Sequence, residues 1–305
     1  MLKYIVKRIG MALATLLVII FVLFVLVRIM PGNPFPSERM SATQIANKRA
    51  EMGLDDPILL QFVRYMKNVL RGDFGKGSSL YNGAPIKTVL SSCVSNSFRI
   101  GGLAILIGTV LGLLLGVCAA LHRGKFLDGF CTVFSIVGVC VPSYVFLIFL
   151  QYNFSYKVSF FPYFFDSSRF LFSAILPALS LSLFTMSTIA RFTRNEMVEV
   201  IDSDYVRLAE SKGMEGGLLI RRHVLRNSML PVVTFLAVTL ADIVAGSIII
   251  EQVFTIPGIG RLLLASISNR DFPVVQAVVV ILAAWIVVVN FLADLLNQWT
   301  DPRVR

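Results

Sequence analysis

Charged residues are scarce in this 305-residue chain. Asp, Glu, Lys and Arg together make up 15% of it, against 56% hydrophobic residues and a mean hydropathy of +0.78. A soluble domain carries about 25% charged and 45–50% apolar residues, so too few polar groups remain here to cover a water-facing surface, and the chain reads as a membrane protein. Disorder is excluded, since it requires low hydrophobicity. Cysteine is also sparse: four residues, Cys93, Cys118, Cys131 and Cys140, with no Cys-x-x-Cys pair, exclude a disulfide scaffold and leave no metal or redox motif. The only histidines, His122 and His223, are too far apart in sequence to argue for a metal site. The phosphate-binding pattern Gly-x-x-x-x-Gly-Lys-Ser/Thr is absent. Gly75-Lys76-Gly77 and Gly124-Lys125-Phe126 lack both the upstream Gly and the following hydroxyl, so ATP binding through such a loop is not expected. Nor is there a Ser/His/Asp or Cys/His set with a supporting motif, so the chain is not expected to be an enzyme.

Long apolar runs are what the sequence has in abundance. About 20 apolar residues cross a bilayer as a helix. Charge-free stretches cover Ile9–Val27, Ile100–Leu121, Gly129–Tyr156, Phe170–Ala190 and Phe272–Ala293, and a sixth, Ser228–Ile250, is interrupted once, by Asp242. The expected fold is therefore all-α with six transmembrane helices, since a closed barrel would need alternating strands of about ten residues. The first run, 19 residues without charge, exceeds a signal's apolar core of about 7–15 and has no small-residue cleavage site after it, so it reads as a retained anchor.

Positive charge sets the expected orientation. The two termini and the loops after spans two and four carry fourteen Lys/Arg, whereas the two short loops of the other side carry four. Both termini are expected in the cytoplasm. The net charge of +10 suits cytoplasmic loops beside anionic lipid, and no nucleic-acid motif accompanies it.

Several residues within the spans stand out. Ala104, Gly108, Gly112, Gly116 and Ala120 recur every fourth position, a smooth strip on which another helix can pack closely. Pro142 and Pro177 predict kinks in spans three and four, with Ser180, Ser187 and Thr188 near the second either satisfying freed backbone groups or lining a polar path. Asp242, the one carboxylate near a span's middle, is costly in lipid and is expected to face a cavity or a partner, so Asp242, Ser180 and Ser187 are candidates for a substrate path.

The segment Arg191–Arg226 holds seven basic and six acidic residues, which does not suit a segment that only binds anionic lipid. Tyr205, Leu208 and Ala209 form an apolar stripe at i, i+3 and i+4 on a short helix begun near Ser203 or Asp204 and stopped at Gly213, and Gly216-Gly217 turns the chain into a basic helix that runs to Pro231. A small amphipathic helix outside the membrane has the form of a ball for another protein's socket.

Asp204-Tyr-Val-Arg-Leu-Ala-Glu-Ser-Lys-Gly213 and His223-Val-Leu-Arg-Asn-Ser-Met-Leu-Pro231 resemble the cytoplasmic loop of inner-membrane permease subunits of ABC importers, in the peptide and nickel branch. The wider family has Glu-Ala-Ala, three residues and Gly, later Ile-x-Leu-Pro. Ala209 and Gly213 match, Arg207 and Leu208 stand at the first two positions, and His223 and Arg226 replace the later Ile and Pro, departures themselves like that branch. The similarity continues through Leu54-Asp-Asp-Pro57 with Gln61, Gly72-Asp-Phe-Gly75, Arg191-Phe-Thr-Arg194, Glu251-Gln-Val-Phe, Pro257-Gly-Ile-Gly-Arg261, Asn269-Arg-Asp-Phe-Pro273 and Asp301-Pro-Arg303. Met1-Leu-Lys and Pro31-Gly-Asn-Pro-Phe look most like B-type permeases of oligopeptide importers.

The resemblance implies a type I ABC importer permease in a bacterial or archaeal cytoplasmic membrane. It implies a homologous second permease, two cytoplasmic ATPase subunits holding ATP and Mg, and an extracytoplasmic peptide-binding protein. No cofactor is implied for this chain. The ATPase-coupling residues would be Ser203, Asp204, Tyr205, Arg207, Leu208, Ala209, Glu210, Lys212 and Gly213. Residues 1–30 would form the N-terminal end and first helix, 31–98 a long external insertion, and 99–305 the permease core with a coupling loop at 191–230. An amphipathic helix is expected around Pro57–Leu70 of the insertion, and the insertion as a whole is expected to fold against the outer face, either as a docking surface for the binding protein or as a cap over the bundle. Pro257, Gly258 and Gly260 lie in an apolar stretch too short to cross, read as a re-entrant or interfacial loop at the external mouth. Peptides, oligopeptides in particular, are favoured over nickel because no His/Cys/Met cluster offers soft or imidazole ligands. The competing class, an ion-coupled secondary transporter, would carry several intramembrane ionisable groups and an inverted repeat, neither of which is evident.

Overall fold

The computed structural model describes residues 2–29, 43, 56–78, 80, 81, 83–214, 216–246 and 248–300. Pro31-Gly-Asn-Pro-Phe, Leu54-Asp55 and Asp301-Pro-Arg303 lie outside the described residues, as does most of the first half of the expected insertion. The described chain is helical apart from its loops and one isolated bridge, Lys76 with Pro85. Its helices are α1 (Leu2–Ile29), α2 (Ile58–Leu70), α3 (Ile86–Leu121), α4 (Phe126–Cys140), α5 (Ser143–Leu150, continued by a π-helical Gln151–Lys157), α6 (Phe170–Ile201), α7 (Asp204–Ser211), α8 (Gly216–Ser228, with a π-helical middle), α9 (Leu230–Gly246), α10 (Ile248–Val253), α11 (Ile259–Ser268) and α12 (Phe272–Thr300).

Four of these helices are long and apolar enough to cross a bilayer unbroken: α1, α3, α6 and α12. Two more spans are bent pairs, α4 with α5 turned by 106° and α8 with α9 turned by 47°. Counting each pair once gives the six expected spans. The break between α4 and α5 is far sharper than a kink. Pro142 cannot donate a hydrogen bond, and its ring pushes Val141 out of the helical region to φ −77, ψ 121, so α4 ends there and α5 starts afresh. Pro177, by contrast, lies inside an unbroken α6. At Pro231 the ring sits at the second position of α9, where a missing donor costs no helical bond.

The chain forms two compact units, residues 1–97 with 257–291 and residues 98–256 with 292–305. In the first, α1 and α2 pack through Ile20, Phe24 and Phe62 with Val280 of α12. Phe62 meets Phe21 and Phe24 edge-on at 5.0 and 5.6 Å, a geometry that adds to simple burial. In the second, α6 is the centre. About two thirds of its spanning stretch is buried (67%), against 11% for that of α1. The small-residue strip on α3 contributes to this. Cβ atoms added at Gly112 and Gly116 would stand 2.6 Å from the carbonyls of Met186 and Ala190, so only glycine lets α3 lie directly on the α6 backbone. The expected packing strip is thus present, and α6 is what it packs on.

Candidate coupling site

α7 begins where α6 runs out. Ser203 is extended at φ −74, ψ 150, but its hydroxyl donates back to the Val200 carbonyl at 2.5 Å and does not cap α7. Asp204 then places a carboxylate in the first turn, where the helix dipole favours it. The end is defined more strictly. Gly213 takes φ +83, its N–H donates to Glu210 O at 2.9 Å, and Met214 N–H donates to Ala209 O at 3.2 Å, the paired closure of a Schellman motif. The predicted stop at Gly213 therefore has a conformational cause, since a side chain at that φ is strained.

α7 has two apolar faces. Val206, 3% exposed, and Ala209 face the chain's own interior, where Val206 joins a cluster with Ala120 of α3, Met197 of α6 and Val224 of α8. Tyr205 and Leu208, the latter 56% exposed, point the other way, with Asp204, Arg207, Glu210 and Lys212 exposed around them. The predicted stripe of Tyr205, Leu208 and Ala209 is thereby divided: two of its members are outward and Ala209 belongs to the root. Val206 was the missed residue. Its signal was in the sequence, since Val206 and Ala209 are themselves an i, i+3 pair.

The base of α7 is tied to its neighbours by charge. Arg194, on the last part of α6, grips Asp128 of α4 with two parallel bonds, Nε to Oδ1 at 3.0 Å and Nη2 to Oδ2 at 2.9 Å. Gly124 N–H and the Thr132 hydroxyl donate to the same buried carboxylate. A bidentate pair fixes orientation as well as distance. Arg123 meets Asp202 at 2.6 Å across the same end of the unit, both side chains more than half exposed, so this second pair adds little stability. Asp128 and Arg194 stand 66 positions apart, and nothing in the spacing signals the pair.

The expected path residues are placed differently. Ser180 and Ser187 are both fully buried. Ser180 Oγ donates to Leu176 O at 2.8 Å, and Ser187 lies against Gly138 of α4. Asp242 lies on α9, and its side chain is outside the described residues.

In the first unit, Pro257, Gly258 and Gly260 form the entry to α11, a ten-residue apolar helix, so the apolar stretch continues as a helix. Pro257 O accepts from Asn96 Nδ2 at 3.0 Å, and the Ile259 N–H, an orphan donor at the start of α11, is taken by Ser97 Oγ at 2.8 Å. Gly260 is buried. At the far end of α11, Asp271 is wholly buried and accepts from Ser78 N and Oγ and from Leu80 N, at 3.0, 3.1 and 2.9 Å. One carboxylate so knits the loop before α3 to the start of α12.

Residues 108–305 match the family described as binding-protein-dependent transport system inner membrane component, and residues 1–98 match the N-terminal component of the same transport systems. The chain belongs to this family. The dipeptide transport system permease protein DppB of Bacillus subtilis (strain 168) is 36% identical over 306 residues, covering 100% of this chain and 98% of that protein. DppB of Lactococcus lactis subsp. cremoris (strain MG1363) is 35% identical with both chains fully covered. The oligopeptide transport system permease protein OppB of Haemophilus influenzae is 34% identical, again over the whole of both. Among solved structures, an inward-facing MetNI methionine ABC transporter aligns over 70% of this chain and 97% of its own with a TM-score of 0.58, at 17% identity. An amino acid ABC transporter aligns over 69% and 94% with a TM-score of 0.55. The fold is that of ABC importer permeases. A permease of this family is a transport subunit of a membrane assembly.

Proposed function

We propose that this chain is one of two homologous permease subunits of an ATP-driven peptide importer, forming half of the translocation path. The observation that carries the reading is the two-sided α7: a helix rooted in the chain by Val206 and Ala209 and bearing Tyr205 and Leu208 outward. Two cytoplasmic ATPases bind ATP and Mg, one seats on the outward face of α7, and nucleotide-driven closure pushes α7. Because Val206 shares a cluster with α3, α6 and α8, and Arg194 with Asp128 joins α6 to α4, that push moves several spans as one body rather than bending a loop. An extracytoplasmic binding protein delivers the substrate near Pro257, Gly258 and Gly260, and Asp242 contributes to the path. The excess of basic residues at the ends supports both termini being cytoplasmic.

The substrate class is peptides. This rests on identities of 34–36% with permeases whose names carry dipeptide or oligopeptide transport. Uptake of labelled di- and oligopeptides by cells lacking and then regaining this chain tests it: peptide-length-dependent restoration is expected, and restored uptake without the ATPase subunits would favour an ion-coupled carrier instead.

A further inference from the structure

α2 turns a second apolar face outward that the packing of the first unit leaves uncovered. Phe62, Tyr65 and Val69 pack toward α1. About a quarter turn round the helix, Leu59, Val63 and Leu70 form a stripe at i, i+4 and i+11, exposed by 69%, 60% and 81%. Beyond the stripe lie Lys67, Arg64 and Arg71, all exposed, and α2 itself contains no acidic residue. Among the described residues, only Arg64 of these three has an acidic partner, Asp56 at 2.5 Å.

The depth of this stripe follows from what α2 packs on. The apolar run of α1, Ile9–Val27, is about 28 Å long at 1.5 Å per residue, close to the hydrocarbon thickness. Phe24 and Phe21, the residues that Phe62 touches, lie about 5 and 9 Å inside the end of that run. Arg28 marks the end itself, its guanidinium 5.1 Å over the Phe24 ring. α2 is thus fixed at the level where an interfacial helix buries its apolar face, about 5–10 Å into the boundary of headgroups and acyl chains. On α1, in the same unit, Val22 and Leu26 are also exposed.

We infer that α2 is an interfacial membrane anchor, its Leu59, Val63 and Leu70 stripe lying in the bilayer surface and Lys67 and Arg71 engaging anionic headgroups of the leaflet opposite the N-terminus. The inference rests on the proposed membrane topology and gives this helix a role of its own within an insertion expected to dock a binding protein or to cap the bundle. Water is a poor occupant for three large aliphatic side chains in a row. A soluble partner would have to reach them at the depth of the acyl chains, and a bordering row of cations beside an apolar stripe is the pattern of a helix lying on anionic lipid.

The test uses the assembled transporter in nanodiscs. An environment-sensitive fluorophore is placed on Leu59→Cys in a background where the exposed Cys140 is Ser, with Leu26→Cys as a lipid-facing control and the unmutated Leu59 protein as the label background. Lipids brominated high on the acyl chain are expected to quench the Leu59 label by about twofold, as for a side chain at the interface, with little quenching by aqueous iodide. Amide exchange of Ile58–Leu70 in the unmutated assembly is read in parallel. It is expected to slow when phosphatidylglycerol replaces phosphatidylcholine, and Lys67→Gln with Arg71→Gln is expected to remove that difference. Iodide quenching without lipid quenching, or exchange that responds to the binding protein and not to lipid charge, would overturn the inference. Failure of peptide uptake would leave these lipid readouts unaffected, so the two readings fail separately.

Discussion

The two units each use a buried aspartate to tie distant segments together, one linking two helices and the other a loop to the start of a helix. In the second unit Asp128 is gripped bidentately by Arg194, and the pair joins α4 to the last part of α6 just before α7. In the first unit Asp271 gathers two backbone N–H groups and a hydroxyl from the loop at Ser78–Leu80. The planar guanidinium sets both the angle and the separation of two helices, so it suits an element that must transmit force. The donors that Asp271 gathers from Ser78 and Leu80 hold the shape of that loop. The difference matches the roles proposed here, a moving lever at the inner end and a fixed framework around the entry to α11.

Removing one partner of each clamp should expose the difference. Arg194→Ala is expected to have the largest effect, costing about 3 kcal/mol, the low end for a broken buried pair because Arg194 keeps some contact with water. Thermal unfolding of the purified assembly measures it. Arg194→Lys should recover part of the stability while leaving ATP hydrolysis poorly linked to transport, because an ammonium cannot reproduce the two parallel bonds. Asp271→Ala should cost about 2 kcal/mol, from donors left unpaired in the interior. Its effect should fall on stability with the ratio of ATP hydrolysed to peptide transported unchanged. Equal changes in that ratio for Arg194→Lys and Asp271→Ala would erase the distinction between lever and framework.

Smaller effects sharpen the picture at α7. Gly213→Ala places a Cβ at φ +83 and should cost about 1 kcal/mol, with reduced transport because the helix end is misdirected. Val206→Ala should cost about the same or somewhat more through lost burial. Both should lower the melting midpoint and the binding of ATPase together.

How far the sequence revealed this arrangement differs between the regions. The six spans were legible because a charge-free run of bilayer length is a local signal. The helix at Asp204–Ser211 and its stop at Gly213 were legible for the same reason. The packing strip Gly108, Gly112 and Gly116 was visible as a period, although its partner α6 was not. What escaped was tertiary. The Asp128–Arg194 and Asp271–Ser78 contacts link positions 66 and 193 residues apart, and no periodicity records such a pairing. The inward face of α7 was missed because one apolar stripe was sought where an eight-residue helix carries two. Hydroxyls in a span, such as those of Ser180 and Ser187, suit either a polar path or the satisfaction of freed backbone groups, and spacing does not choose between the two. They are enclosed, Ser180 bonded to its own helix and Ser187 against Gly138. Pro142 and Pro177 were alike as sequence signals, yet only the first breaks its helix.

On the proposed mechanism, α7 receives an ATPase on its outward face while its inward face roots it in the permease. Capture of the ATPase subunits by a Leu208→Glu variant tests it most directly. Leu208 is more than half exposed, so the stability of the permease should stay within the range of an ordinary surface change, about 0.5 kcal/mol, while the ATPase subunits are no longer retained. Full retention of the ATPase with Leu208→Glu, at unchanged permease stability, would contradict the account.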